Sequence, residues 1–245
     1  MVMRRSVILE ALNLRTGEHV LEIGCGGGFY AAEAAQCVGP MGRVCAIDIS
    51  VDQLAAARER CAGLAWVACQ NANALDLPYG EAKFDAVYAV QVLEYVGALD
   101  DALQEIRRVL RPGGRLVILA TNWSSLVWHS EQPERMQRVL AAFAAHAPYP
   151  DLPAILGARL RQVGLQPLRQ TPVPVLNTSY NANRLSYWTA RLVAPFVRGR
   201  QAIAADEAAA WFQEFDALEQ QGAYFFCVTP ILTEAVKRGE WQRQV

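Results

Sequence analysis

Four glycines stand within five positions of the stretch Val20-Leu-Glu-Ile-Gly-Cys-Gly-Gly-Gly-Phe29. The residues before the glycines favour a buried strand and those after them favour a helix. A strand, a glycine turn and a helix let a ligand approach the backbone N–H groups at the helix N-terminus. The dinucleotide fingerprint G-x-G-x-x-G would need glycine where Phe29 stands, although an ordinary Rossmann nucleotide turn stays open as the alternative. A carboxylate at Glu22, just before the turn, suits a ligand that carries an ammonium group.

The elements that would position this turn alternate between strands and helices. We predict five strands in the first half, at 18–24, 43–48, 65–69, 84–90 and 115–120, with helices between them and a Ser50 N-cap. Such alternation predicts an α/β fold: a Rossmann-like, doubly wound, mostly parallel seven-stranded sheet. Ligands of these sheets bind at the carboxyl ends of the strands. The residues expected to converge there are Gly24, Asp48, Asn73, Val90 and Thr121.

After residue 121 the pattern becomes mainly helical. We predict helical segments at about 125–146, 151–163, 181–197 and 206–221, and the last two strands at about 165–173 and 224–231. This part is interpreted as a helical cap inserted after strand five. Because no linker or repeat is visible, the chain 1–245 is expected to be a single domain. Residues 1–120 would be the cofactor-binding half, and residues 121–230 would be the acceptor-binding cap, which is interleaved with the last two strands.

Further motifs follow the glycine turn in a fixed order. Asp48 ends the second strand, Asn73-Ala74 precedes Leu77-Pro78-Tyr79, and Leu103-x-x-Ile-Arg-Arg-Val-Leu-Arg-Pro-Gly-Gly-Arg-Leu116 leads into the fifth. Over about residues 5–120 the chain resembles the class I S-adenosylmethionine-dependent methyltransferases of the ubiquinone/menaquinone-biosynthesis (methyltransferase type 11-like) group. The resemblance implies S-adenosyl-L-methionine as cofactor and methyl transfer as activity.

The resemblance also implies roles for individual residues. Glu22 would balance the cofactor's ammonium group, Asp48 would bind the ribose hydroxyls, and Ile49 and Gln53 would flank the adenine. Relatives usually carry Asp where Asn73 stands, so Asn73 would accept from the adenine amino group through its carbonyl oxygen. Two alternatives stay open: Glu22 could cap backbone N–H groups, and Asn73 could be a turn residue. The full predicted cofactor set is Glu22, Gly24, Cys25, Gly26, Gly28, Asp48, Ile49, Gln53, Asn73, Ala74 and Val90.

The acceptor is expected to be a small molecule, flat and largely apolar, methylated on oxygen, carbon or nitrogen. His129 is the first candidate for a general base, followed by His146, Tyr30 and Tyr180. Relatives often carry His where Tyr95 stands, so no His-based role transfers to that position. A cofactor-binding module that is idle or does not methylate, perhaps a partner subunit, is the alternative function. A nicotinamide oxidoreductase is disfavoured by Phe29.

Composition excludes several other classes. The net charge is −1, which gives no electrostatic footprint for nucleic acid, and the D/N-P-P-Y/F motif of base-modifying enzymes is missing after the fourth strand. We expect no membrane span, since no apolar run approaches ~18 residues, and no signal peptide, which together indicate the cytoplasm. The six cysteines are interpreted as buried free thiols, and no metal site is predicted. The sequence leaves the oligomeric state open.

Overall fold

The computed structural model describes residues 2–239, in which α-helices and β-strands alternate. The strands are β1 (His19–Ile23), β2 (Arg43–Asp48), β3 (Val67–Asn71), β4 (Phe84–Val90), β5 (Leu110–Trp128), β6 (Leu165–Pro172), β7 (Val175–Asn177) and β8 (Phe226–Lys237). The helices are α1 (Val2–Leu12), α2 (Phe29–Val38), α3 (Val51–Arg60), α4 (Leu99–Val109), α5 (Pro133–Phe143), α6 (Leu152–Gln162), α7 (Leu185–Val197) and α8 (Ala205–Gln220). No helix within this part of the chain is long and apolar enough to cross a membrane.

The sheet has the strand order β3-β2-β1-β4-β5-β8-β6, and β7 pairs with β8. The pairs β1–β2, β1–β4, β2–β3 and β4–β5 are parallel, whereas β7–β8 is antiparallel. The predicted doubly wound, mostly parallel sheet is therefore confirmed. It has one strand more than the seven expected, because β7 is three residues long and too short to show a period. Chain order reverses beside β1, which makes the carboxyl ends of β1, β2 and β4 the ligand edge.

Local sequence explains why these elements form. β4 is buried from Phe84 to Ala89, as a central parallel strand must be, since helices cover both of its faces. α4 is amphipathic, with acidic residues in its first turn and basic residues in its last, which complements the helix dipole. The predicted N-cap of α3 is confirmed, because the Ser50 hydroxyl accepts from the Gln53 N–H group at 3.3 Å.

The fifth strand departs most from the prediction. Residues 125–128 were predicted to be helical, but β5 continues through them to Trp128, and α5 begins only at Pro133. The Ser125 hydroxyl accepts from the Thr229 N–H group, and the His129 N–H group donates to the Phe225 carbonyl. These long-range bonds hold the segment extended although its local pattern also fits a helix. Thr121 consequently lies inside β5, so its predicted place at a strand end is wrong.

The described chain divides into two compact units. The first comprises residues 2–120, 152–171 and 231–239, and the second comprises residues 121–151 and 172–230. α6 and residues 165–171 of β6, which fall within the predicted cap segment 121–230, thus belong to the first unit. The second unit has a core of its own, built on α5, α7 and α8 around the buried rings of Trp128, Trp211 and Phe215. The predicted helical segment after strand five is therefore present as a compact unit.

Candidate functional site

The glycine turn between β1 and α2 has a backbone that other residues would strain. Gly24 has φ +69°, and a Cβ atom there would lie 2.2 Å from Cγ2 of Val92. Gly28 is the N-cap of α2 with φ +75°, and its Cβ would lie 2.9 Å from the backbone of Ala57. Both positions therefore need glycine for two reasons, a left-handed backbone and a close neighbour. The turn lies where a ligand can reach the first N–H groups of α2.

Asp48, the last residue of β2, holds this turn and the start of α3 together. Its Oδ2 accepts from the Gly26 N–H group at 2.8 Å, and its Oδ1 accepts from the Ser50 N–H group at 2.9 Å. A carboxylate oxygen has a further lone pair, so each oxygen can accept one more hydrogen bond. The carboxylate is half-buried, which leaves room for a pair of neighbouring hydroxyls such as those of a ribose.

Glu22 lies inside the protein, where its side chain is only 1% exposed. Its carboxyl group lies beside the Tyr88 side chain and accepts from the Ala31 N–H group in the first turn of α2. Burial raises the pKa of Glu22 to about 8, although the Ala31 N–H group favours the charged form. These contacts match the alternative that the sequence left open, in which Glu22 caps backbone N–H groups. Its predicted role toward the cofactor's ammonium group stays a prediction.

The high pKa of Glu22 has a measurable consequence for stability. The folded protein keeps a proton on Glu22 up to about pH 8, whereas an unfolded Glu loses it near pH 4.5. The free energy of unfolding should therefore fall as pH rises across this range, by at most about 1.4 kcal/mol per pH unit. Glu22→Gln keeps a neutral side chain of the same shape, so the protein should still fold. Its free energy of unfolding should depend less on pH than that of the wild type.

Urea denaturation between pH 5 and 8 checks this expectation. Glu59→Gln, which removes an exposed carboxylate on α3, is the matched control and should leave the slope unchanged. Equal slopes in wild type and Glu22→Gln would show that Glu22 is ionised in the folded protein.

The other predicted cofactor residues surround the same edge of the sheet. Ile49 is 75% exposed and Gln53 is also exposed, so both can cover a planar ring. Asn73 is exposed, and its Oδ1 accepts from the Leu75 N–H group at 3.0 Å, which is the turn role that the sequence left open. Cys25 and Ala74 are buried, and Val90 is half-buried at the end of β4. Burial raises the pKa of the Cys25 thiol, which suits packing and not reactivity.

The sequence reasoning missed three residues at this edge. Asn71 donates through Nδ2 to the carbonyls of Asp48 and Ile49, at 3.0 Å each, and so fixes the backbone there. Gln91 has φ +55°, which is unusual for a residue with a side chain. Tyr88 lies beside Glu22, because the β1–β4 register places the two residues opposite each other. Only the position of Gln91, directly after the predicted strand 84–90, was visible in the sequence.

The predicted general bases occupy different environments. His129 is exposed and directly follows β5, instead of lying within a helix. His146 stacks on Phe143 with ring centroids 3.9 Å apart, and burial lowers its pKa. Burial raises the pKa of Tyr180 to about 12, which makes its hydroxyl a poor source of phenolate at neutral pH. Tyr30 lies in the first turn of α2 and is half-buried.

The remaining side-chain predictions concern metals and cysteines. Within residues 2–239, no group of three or more His, Cys, Asp or Glu side chains could hold a metal ion. The cysteines of this range are all free thiols. Cys25, Cys45 and Cys61 are buried as predicted, but Cys37 is exposed and Cys69 and Cys227 are partly exposed. The prediction that every thiol is buried is therefore wrong, because α2 presents Cys37 to solvent.

Fold and site together define a class. A doubly wound sheet with a glycine turn after β1 and a carboxylate at the end of β2 is the Rossmann-like arrangement of S-adenosylmethionine-dependent methyltransferases. Residues 21–118 match the family model described as "Methyltransferase domain".

Curated relatives match the same half of the chain. It is 41% identical over 122 residues to an uncharacterized 37.1 kDa protein in transposon TN4556 of Streptomyces fradiae, covering 50% of this chain and 35% of that protein. It is 36% identical over 130 residues to O-methyltransferase resE of Aspergillus sclerotiorum, covering 52% and 47%. It is 36% identical over 110 residues to the demethylmenaquinone methyltransferase of Symbiobacterium thermophilum, covering 44% and 44%. The chain thus spans less than half the length of these relatives.

Solved structures resemble the chain over nearly its whole length. A putative methyltransferase from Bacillus halodurans superposes with a TM-score of 0.65 at 18% identity, covering 97% of this chain and 100% of that chain. The [4+2]-cyclase SpnF superposes with a TM-score of 0.62 at 23% identity, covering 96% and 81%. At such identities the likeness shows the fold alone.

Proposed function

We propose that this protein transfers a methyl group from S-adenosyl-L-methionine to a small-molecule acceptor. The observation that carries this proposal is Asp48, whose two oxygens bind the Gly26 and Ser50 N–H groups and still have lone pairs for two vicinal hydroxyls. The residues present fit the cofactor. Gly26 leaves open space where a Cβ would stand, with Gln53 Oε1 as its nearest neighbour at 3.6 Å. Asp48 suits a ribose, and the exposed Ile49 offers an apolar surface for adenine.

The chain's own residues would act mainly by alignment. The cofactor, when bound, supplies a methyl group on a sulfonium that is already activated for in-line displacement. The glycine turn would hold the cofactor's amino-acid part against bare backbone, and Asp48 would fix the ribose. Holding two reactants in line is worth roughly 7–11 kcal/mol in intramolecular models. Glu22 would act indirectly, because its carboxyl group accepts from the Ala31 N–H group in the first turn of α2.

We further propose that the chain works as one methyltransferase domain in which two segments have separate roles. Residues 1–120 would bind the cofactor, and residues 121–230 would bind a flat, largely apolar acceptor that is methylated on oxygen, carbon or nitrogen. The aromatic side chains of the second unit, such as Trp123 and Phe143, support this role. A cytoplasmic location and the absence of nucleic acid as a partner stay predictions from the sequence.

Calorimetry with three ligands tests the cofactor assignment. Micromolar binding of S-adenosylmethionine and S-adenosylhomocysteine is expected, with no detectable heat from NAD. Binding of NAD with comparable affinity would overturn the proposal in favour of a nicotinamide enzyme.

A cofactor-binding protein that does not methylate is the second candidate, because one protein with a similar fold is a [4+2]-cyclase. The two functions share the cofactor and differ in turnover. A panel of phenols, quinols and small carbon acids should include one acceptor that gives stoichiometric S-adenosylhomocysteine. Tight cofactor binding with no product from any acceptor of these classes would favour the second candidate.

His129 is proposed as the general base that accepts the acceptor's proton. It is exposed and directly follows β5, so its ring nitrogens are open to a small molecule. His129→Ala should lower kcat by about 100-fold or more without changing cofactor affinity. His146→Ala is the matched control and should reduce thermal stability instead, because that ring packs on Phe143. Near-normal turnover by His129→Ala would show that methyl transfer needs only the alignment of the reactants or uses another base.

A further inference from the structure

The outer surface of α7 has an unusual combination of apolar and basic side chains. α7 buries one face in the second unit through Ala190, Val193 and Val197. On its other face Trp188 is 55% exposed and Leu192 is 53% exposed. Because helical neighbours recur every three to four residues, these two lie in one row with further exposed residues. We call this row the Trp188 stripe; it consists of Arg184, Trp188, Arg191, Leu192, Pro195 and Arg198.

Charge around the stripe is of one sign. Between residues 172 and 205 the chain has four arginines and no Asp or Glu, although its net charge is −1. Two acidic side chains of α8 form ion pairs with arginines that lie outside the stripe. Glu207 pairs with Arg138, and Glu214 pairs with Arg135.

The arginines of this segment form no ion pair among the residues that the structure describes. Arg184 donates to the Ser179 hydroxyl at 3.2 Å, and Arg191 stacks over the Tyr187 ring at 3.5 Å. Their guanidinium groups therefore keep donors for an external anion. The positive charge of the segment is available at the surface of the protein.

We propose that the Trp188 stripe docks this protein onto an anionic phospholipid membrane. Trp side chains are enriched at the boundary between lipid headgroups and acyl chains, and a leucine beside an exposed indole can enter the apolar layer. The flanking arginines match phosphate groups by geometry and charge. An acidic protein would satisfy the arginines but would leave Trp188 and Leu192 without an apolar partner. The surface thus fits a lipid bilayer, and it does so independently of the proposed methyl transfer.

Co-sedimentation with vesicles tests the proposal. The full-length protein should sediment with equimolar phosphatidylglycerol/phosphatidylcholine vesicles at low salt, and only weakly with pure phosphatidylcholine. Binding should weaken at about 0.5 M salt, where the Debye length is only a few ångströms. Trp188→Ser/Leu192→Ser and Arg184→Gln/Arg198→Gln should each lower the partition coefficient by about tenfold or more.

Matched variants away from α7 keep the test specific. Leu168→Ser removes an apolar side chain of β6 that is 59% exposed, and Arg161→Gln removes an exposed charge of α6. Both should change partitioning by less than about twofold, and all variants should keep the wild-type melting temperature. The proposal is overturned if the wild type ignores anionic vesicles, if the control variants lose binding equally, or if polyglutamate is bound and vesicles are not. S-adenosylmethionine affinity, measured in parallel, should be unchanged in every variant.

Discussion

Gly24→Ala is expected to abolish cofactor binding and to destabilise the protein by about 2–5 kcal/mol. The added methyl group would meet the Val92 side chain at 2.2 Å, in a residue whose φ is +69°. Either Val92 or the glycine turn must then move, and both lie at the ligand edge of the sheet. Calorimetry with S-adenosylhomocysteine and urea denaturation measure the two effects.

Two variants separate backbone strain from the clash. Gly17 has φ +88°, and no atom lies within 4 Å of the place where a Cβ would stand. Gly17→Ala therefore adds backbone strain without a clash, and it should lower the free energy of unfolding by only about 1–2 kcal/mol. Val92→Ala should recover part of the loss in the Gly24→Ala background, because it removes the methyl groups that collide. If Gly24→Ala and Gly17→Ala behave alike, contact with Val92 does not constrain the turn.

Asp48→Ala is expected to weaken S-adenosylmethionine binding by about 1–3 kcal/mol, which is roughly 5- to 150-fold in Kd. The change removes the acceptors of the ribose hydroxyls and leaves the Gly26 and Ser50 N–H groups without their partner. Asp48→Asn keeps one acceptor oxygen, so its affinity should lie between wild type and Asp48→Ala. Calorimetry on the folded wild type, Asp48→Asn and Asp48→Ala proteins measures the order of their affinities for S-adenosylmethionine.

Asp52→Ala is the control for a general charge effect. Asp52 lies in the first turn of α3, four residues after Asp48, and it is exposed. Asp52→Ala should change the Kd by less than about twofold, because solvent screens the charge of Asp52. An unchanged Kd in a folded Asp48→Ala protein would mean that the ribose is held elsewhere.

Much of the cofactor half could be predicted because its signals are local. A buried parallel strand is a short apolar run, and glycine is nearly obligatory where the backbone is left-handed, so β1, β2, β4 and the turn are visible in the sequence. The position of Asp48 at a strand end follows from the same pattern. The location of the ligand edge could be predicted as well. Parallel strands that end at one edge of a sheet bring their last residues together there.

The tertiary structure decided how individual side chains are used. Glu22 and Asn73 both carry oxygens that could meet a cofactor, but Glu22 is enclosed with Tyr88 and Ala31, and Asn73 closes its own turn. No spacing in the sequence distinguishes these uses, because the partner of Glu22 lies on a strand that is 66 residues away in the chain and adjacent in the sheet.

What the sequence by itself determined is the order of strands and helices, the glycine turn and the strand-end carboxylate, since each depends on neighbours along the chain. What only the tertiary structure decided is the extension of β5 to Trp128, the buried state of Glu22 and the exposure of the Trp188 stripe. Each of these depends on contacts between distant segments. The Ser125–Thr229 hydrogen bond holds β5 extended against a helical pattern, and packing of the opposite face of α7 leaves Trp188 and Leu192 in solvent.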